Sequence, residues 1–408
     1  MIKIFFLNLI FFPLSCFSQT AFTIYNTENS ELPSNTVNTI YFDTDENVWI
    51  ATENGLAKID TNDTWDIYNT GNSGLPDNFI RSVFVDNDGV LWVGTFLGGL
   101  SKFDGTIWEV FNPANSEIPD YHIRAINKDM NDTLWLGTTG GLCKWDGTDY
   151  WYTYTTDNST LKSSNITDIL IDDENVKYLG TINGGLSTYD AGVINYYRTE
   201  NSEIADNTVL QIAEDTFGNK WMATTFGGLS IVTPAFTFLN FSPFNSDIPD
   251  LEMNDVTIDK NNIGVLAMHS FGLTTFDNTD WFTYDISNSE LPENTLNCVA
   301  IDKENKVWIG TETSGLVVFD RALYVSVTGP SSSVLQLFPN PCSQFIFLSG
   351  NFHDSEILIT NIFGEVVFSA LSISQSQVID ISKIPEGNYI LSLRDDYSVI
   401  NKNILIVR

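Results

Sequence analysis

The amino-acid sequence predicts an all-β fold: a seven-bladed β-propeller closed by its own N-terminal strand, followed by a small C-terminal β-sandwich. Three observations predict it. The phrase Asn-Ser-x-(Leu/Ile) begins at Asn29, Asn72, Asn115, Asn158, Asn201, Asn245 and Asn288, spaced by 43 residues five times and by 44 once. A second phrase keeps the same register: Trp49-Ile-Ala-Thr52, Trp92-Val-Gly-Thr95, Trp135-Leu-Gly-Thr138, Tyr178-Leu-Gly-Thr181, Trp221-Met-Ala-Thr224, Val265-Leu-Ala-Met268 and Trp308-Ile-Gly-Thr311. A third, Gly-Leu, follows at Gly55, Gly99, Gly141, Gly185, Gly228, Gly272 and Gly315. A period of about 40–45 residues built from short apolar segments marks propeller blades. Seven such units close a ring.

The second unit shows how each strand arises. Asn78–Val85 is an apolar-rich first strand. Asp86-Asn-Asp-Gly89 is a tight hairpin turn, since Asp, Asn and Gly tolerate the backbone angles a turn needs. Leu91–Thr95 is the second strand, and Gly98-Gly99 turns into the third, Leu100–Phe103. Asp104-Gly105 turns again, and Trp108-Glu-Val-Phe111 alternates as the fourth strand. Residues 112–119 then cross to the next unit.

The first residues after the leader carry a displaced piece of this pattern. Phe22-Thr-Ile-Tyr25 matches the fourth-strand series Trp65 to Tyr68, Trp108 to Phe111 and Trp151 to Tyr154, yet it precedes the first unit. The last unit has no such match after Phe319-Asp320. Phe22–Tyr25 is therefore expected as the outer strand of the seventh blade, which joins the chain ends and removes an open sheet edge. Two units depart from the pattern. The fifth has Val232-Thr-Pro234 at its third turn, and the sixth reads Gly264-Val-Leu-Ala-Met-His-Ser-Phe271, without the Trp or the Gly-Thr.

The 408 residues carry 52 acidic and 19 basic side chains, a formal net charge of -33. Such a surface repels phosphate backbones, so nucleic acid is not an expected partner. Residues 1–18 read as a secretory signal: Lys3, the apolar run Ile4–Leu14, then small residues at Cys16 and Ser18 before Gln19. A lipidated Cys16 is the competing reading. No other segment is long and apolar enough to be read as a membrane span. Beyond the leader, Cys143, Cys298 and Cys342 are odd in number and lie in different units, which does not suggest a disulfide framework. With three histidines and no paired ligand spacing, neither a metal site nor a cofactor is expected.

Leu75-Pro76, Asp86-x-x-Gly89, Leu91-Trp92-Val-Gly-Thr95 and Gly99-Leu100 together resemble the two-component regulator propeller family, over residues 22–320. The resemblance implies the propeller fold. Such repeats are known as periplasmic sensor halves of hybrid histidine kinases that respond to glycan fragments. No kinase or receiver segment accompanies them in this sequence, so a sensor role does not follow. Residues 336–408 resemble the C-terminal sorting domain of type IX secretion substrates through Phe338-Pro-Asn-Pro341, Ile357–Gly364, Gly387–Leu393 and Lys402–Arg408. That resemblance implies a removable β-sandwich, the type IX machinery as partner, and a secreted or outer-surface location on a Gram-negative bacterium. The expected division is a signal peptide (1–18), propeller (19–321), linker (322–335) and sorting domain (336–408).

Crossovers between blades and the loops joining second to third strands gather on one propeller face, where loops on a rigid scaffold carry function. Sevenfold recurrence of Asn-Ser points to turn-building. The residues that vary on that face are the better ligand candidates: Glu53, Phe96, Phe226, His269, Phe271 and Glu312. Arg81 and Arg124 hold one repeat position in neighbouring blades, with His122 two residues before Arg124, and form a candidate fork-like anion site. The Asp86–Trp92 run resembles the Asp-box hairpin of sialidases, which is structural. The leading functional expectation is an extracellular binding module, with glycans as the expected ligand. One alternative is a carbohydrate-active enzyme. A hydrolase would use Glu53 and Glu312 as its carboxylates, and a lyase would draw on His122, His269 and Arg124. A structural adhesion module is the other alternative.

Overall fold

The computed structural model describes residues 21–324, apart from residue 149, and most of 336–407. The expected signal peptide and residues 325–335 of the expected linker lie outside the described residues. Residues 22–319 form seven four-stranded antiparallel sheets. The innermost strands of blades 1 to 7 are Val37–Phe42, Ile80–Val85, Ile123–Lys128, Ile166–Ile171, Val209–Glu214, Met253–Ile258 and Leu296–Ile301. Each is followed outward by three more strands. In blade 2 these are Leu91–Thr95, Leu100–Phe103 and Trp108–Phe111, as the sequence predicts. Its first strand begins at Ile80 rather than Asn78. The Asn78 side chain accepts the Thr70 N–H at 2.8 Å and shapes the crossover instead.

Closure is as expected. Phe22–Tyr25 is the outer strand of blade 7, with Phe22 opposite Phe319 and Tyr25 opposite Leu316. Packing continues beyond the last strand. The ring of Tyr324 meets Phe22, Phe319 and Tyr284, and its hydroxyl donates to the Asn288 carbonyl at 2.9 Å.

Each repeated phrase has a mechanical role. In every crossover the Asn carboxamide accepts the backbone N–H three residues earlier and donates to the carbonyl five residues earlier, as Asn72 does with Asn69 (2.8 Å) and Ile67 (2.9 Å). The following Leu or Ile is buried in all seven, from Leu32 to Leu291. The Thr of the second phrase donates to the carbonyl of the Gly in the third, as Thr95 does to Gly99 at 2.9 Å. That Gly is obligatory by space as well as by angle. At Gly315, with φ +98°, an added Cβ would lie 2.2 Å from the Tyr25 carbonyl oxygen.

The hairpin acid and the tryptophan form a third unit. Asp43, Asp86, Asp129, Asp215 and Asp302 each accept the indole N–H six residues on, at 2.8–3.2 Å. Their other oxygen accepts backbone N–H groups of the turn, as Asp86 does from Asp88 and Val90. The same carboxylates receive cations from the next blade: Lys128 on Asp86 at 3.2 Å, and Lys177 on Asp129 at 2.9 Å. In blade 6, where Val265 replaces the tryptophan, Asp259 instead takes Arg321 at 2.6 Å and Asn305 at 3.3 Å. These pairs sit at the first hairpins, on the face opposite the crossovers.

The C-terminal unit has a three-stranded sheet centred on Phe345–Ser349 and a four-stranded sheet with Glu356–Asn361 and Gly387–Arg394 inside it. Ile346, Leu348 and Ile379 of the first share one buried core with Ile357, Ile359, Leu391, Leu393 and Ile404 of the second. Two sheets over a shared core make the expected sandwich. Among the described residues no helix is long and apolar enough to cross a membrane.

Candidate functional site at the channel mouth

The site begins with a backbone irregularity. In every blade the innermost strand slips by one residue against the second strand, near its start. The residues left unpaired are Asn38, Arg81, Arg124, Thr167, Leu210, Asn254 and Asn297. A β-bulge re-aims the side chain it carries. Here it turns one side chain per blade into the central channel, where all seven line a cavity of about 700 Å³. Glu53, His269 and Glu312 from the second-to-third strand loops line the same cavity.

Four members of this ring stitch blades together. Asn38 donates to the Ile80 carbonyl (2.9 Å), Thr167 to Val209 (2.6 Å), Asn254 to Leu296 (2.7 Å) and Asn297 to Val37 (3.1 Å). Each partner lies at the start of the next blade's inner strand. Among the described residues neither arginine bonds the backbone of the next blade. Arg81 rests over the Phe79 ring at 5.4 Å, and Arg124 donates only to the Asn165 side chain, at 3.3 Å. Neither guanidinium has a carboxylate within 4 Å among the described residues. Burial lowers the pKa of both. For Arg124, burial and then the charge of Arg81 bring it to about 10.

His122 stands behind the pair. Burial, then Arg81 and Arg124, push its pKa down to about 4, so the imidazole is neutral at ordinary pH. Its Nε2 is buried without a hydrogen-bond partner. Phe96 packs edge-on to it at 4.6 Å and stacks on Phe79 at 5.0 Å. Phe96 is thus half-buried in the wall behind the arginines, not an open stacking platform as the sequence suggests. Phe226 and Phe271 are open platforms, 67% and 44% exposed, but they stand on loop tips outside the cavity lining. Glu53 and Glu312 are exposed at the mouth, on blades 1 and 7. His269 is also exposed, 4.0 Å from the Glu252 carboxylate and 3.5 Å from Asn254.

Sequence reasoning missed two acids. One residue past each bulge runs the column Thr39, Ser82, Ala125, Asp168, Gln211, Asp255 and Cys298. Asp168 accepts the Ile212 N–H at 2.8 Å, and Asp255 accepts those of Val256 at 2.7 Å and Val299 at 2.8 Å. Burial pushes Asp168 up to about 6. It pushes Asp255 up to about 8, against those two hydrogen bonds and with a smaller contribution from Asp168. That column can be aligned only once the bulge is known, and it then sets both acids at one inner-strand position shared with Thr39, Ser82 and Gln211. The mouth is consequently two-sided. Blades 2 and 3 present the arginines. Blade 6, with two blades intervening on either side, presents a protonated Asp255, Asn254 and His269.

Comparison with known proteins places these features. Residues 336–407 match the secretion system C-terminal sorting domain, and residues 31–54, 74–96 and 290–313 match the two component regulator propeller. A comparison with curated proteins finds no match. Among solved structures, PorZ is described as an essential bacterial surface component of the type-IX secretion system of Porphyromonas gingivalis. It aligns with 17% identity and a TM-score of 0.59, over 92% of this chain and 60% of that one. The chain therefore spans 60% of that PorZ chain, less than two thirds of its length. Virginiamycin B lyase from Staphylococcus aureus aligns with 14% identity and a TM-score of 0.60, over 73% of this chain and 98% of its own. YCF48 from Cyanidioschyzon merolae gives 14% and 0.55, over 74% and 99%. At these identities the likeness is one of fold. The chain carries two component regulator propeller repeats in its N-terminal part and, over residues 336–407, a secretion system C-terminal sorting domain.

Proposed function

We propose that the chain is an exported propeller module, secreted or held at the outer surface of a Gram-negative bacterium, which binds a glycan at the mouth of its central channel. The sorting domain supports export through the type IX machinery. One observation carries the binding reading: Glu53, Arg81, Arg124, His269 and Glu312, from five different blades, line a single cavity together with Asn38, Asn254 and Asn297. Polar side chains that converge on a rigid concave surface are what a sugar-binding site requires. The repeated Asn-Ser loops are consumed by their own turns and leave the mouth as the variable surface. A glycan array probed with the full-length chain tests this. Saturable binding that is lost in the Glu53→Ala/Glu312→Ala variant supports it, and an array without signal favours an adhesion or assembly module. Release of cleaved sugars during incubation would instead mark the enzyme reading, with His269 the exposed base across the mouth from the cations.

A further inference from the structure

The bulge ring separates scaffold from site. Four of its seven side chains bond the backbone of the next blade, and Leu210 is apolar. Only Arg81 and Arg124 bring charge, and they bring the same charge to adjacent blades. Many other cations go to carboxylates, as Lys128 does to Asp86, Lys177 to Asp129 and Arg321 to Asp259, while Lys58, Lys144 and Lys162 lie over aromatic rings on the outer strands and loops. In a molecule with 52 acidic residues, Arg81 has only the more distant charge of Glu53 to favour it, and Arg124 has no carboxylate within 4 Å among the described residues, an arrangement that is costly to the fold for half-buried guanidiniums. The mutual repulsion of like charges adds to that cost. A binding site is where such a cost is offset, by a ligand that supplies the missing negative charge.

We propose that Arg81 and Arg124 form a two-armed clamp for an oxyanion on the glycan, a uronic-acid carboxylate or a sulfate ester. The planar guanidinium fork matches either group through paired N–H donors. The surroundings fit a sugar that bears such a group. Phe79, stacked on Phe96, lies against the Arg81 guanidinium on one side of the clamp. His122, neutral and with Nε2 unpartnered, adds a polar ring atom without a competing charge. Across the ring, Asn254 and His269 offer hydrogen bonds to hydroxyls. Asp255, held in its protonated form, does not repel the anion as a carboxylate would. The clamp rests on the glycan reading of the mouth, and the test separates the two.

Full-length protein is titrated calorimetrically with an oligogalacturonide, a sulfated hexasaccharide, a neutral hexasaccharide and inorganic sulfate. The Arg81→Gln/Arg124→Gln variant is taken through the same series. The expected result is binding of one or both acidic oligosaccharides, at least tenfold tighter than the neutral one, and loss of at least tenfold in the variant. Which acidic arm binds names the oxyanion. The melting temperature of the variant should hold or rise, because repulsion is relieved. A fall would identify the arginines as structural and overturn the clamp. Equal binding of neutral and acidic oligosaccharides that survives in the variant leaves the glycan site standing and overturns the clamp. Sulfate binding that the variant loses, with no oligosaccharide bound, leaves the clamp standing and overturns the glycan reading. Absence of binding in every arm overturns both.

Discussion

Phe22 and Phe319 stack face to face, with ring centroids 4.2 Å apart and planes 7° from parallel, and this contact joins the first strand of the propeller to the last. Both rings are buried, in one cluster with Val307, Ile309 and Leu296. Among the described residues no other strand covers that edge of blade 7.

Phe22→Ala should therefore destabilise the propeller by about 3–5 kcal/mol, the usual cost of deleting a buried phenylalanine ring. Chemical denaturation followed by tryptophan fluorescence measures this. Gly315→Ala should act at the same seam, since its Cβ would strike the Tyr25 carbonyl. Wild-type stability in both variants would show that the N-terminal strand is dispensable.

Asp129→Ala should be among the most damaging single changes on the opposite face. Asp129 holds the Trp135 indole at 2.9 Å, two turn N–H groups and the Lys177 ammonium. Lys177 is only 3% exposed, so the change leaves a buried unpaired cation. Breaking such a pair costs about 3–5 kcal/mol. Adding Lys177→Met to the variant should recover part of the loss in a thermal melt. No recovery would mean the indole and turn bonds dominate.

Asp255 predicts a pH dependence with a defined sign. Its folded pKa, about 8, lies above the unfolded value of roughly 3.9. The folded state thus binds more protons between those limits, and the group's contribution to stability falls as pH rises through that window. Asp255→Asn removes the titration. The stability advantage of wild type over the variant should shrink between pH 5 and pH 8, measured by urea unfolding at each pH. A constant difference would contradict the protonated assignment.

Deleting residues 336–408 should leave the protein in the periplasm of its native host. Fractionation and mass spectrometry read this out, and exported full-length product should end upstream of Phe338. Normal export of the truncated chain would remove the sorting role.

The fold was legible because each repeated residue solves one local problem, seven times over. Asn72 shapes a crossover, Thr95 and Gly99 lock a loop, and Trp92 anchors on Asp86. Repetition multiplies such signals above the noise of any one blade. The arginine pair was legible for the same reason, as a departure in one column. Asp168 and Asp255 were not. Their chemistry comes from burial behind a bulge, and a bulge is a slip in pairing that leaves no mark on periodicity. Phe96 misled because a loop aromatic reads as exposed until Phe79 and His122 are seen to cover it.

The net charge of -33 and the unpaired arginines act on a ligand at different ranges. At about 10 mM salt the Debye length is roughly 30 Å, so an acidic chain approaches against the field of the whole particle. At about 150 mM it is roughly 8 Å, and only the nearest charges are felt. Association with an acidic glycan should therefore accelerate on adding salt, the reverse of ordinary electrostatic steering, while the grip of the two guanidiniums weakens. The same acidic shell would discriminate against polyanions that lack a fit at the mouth.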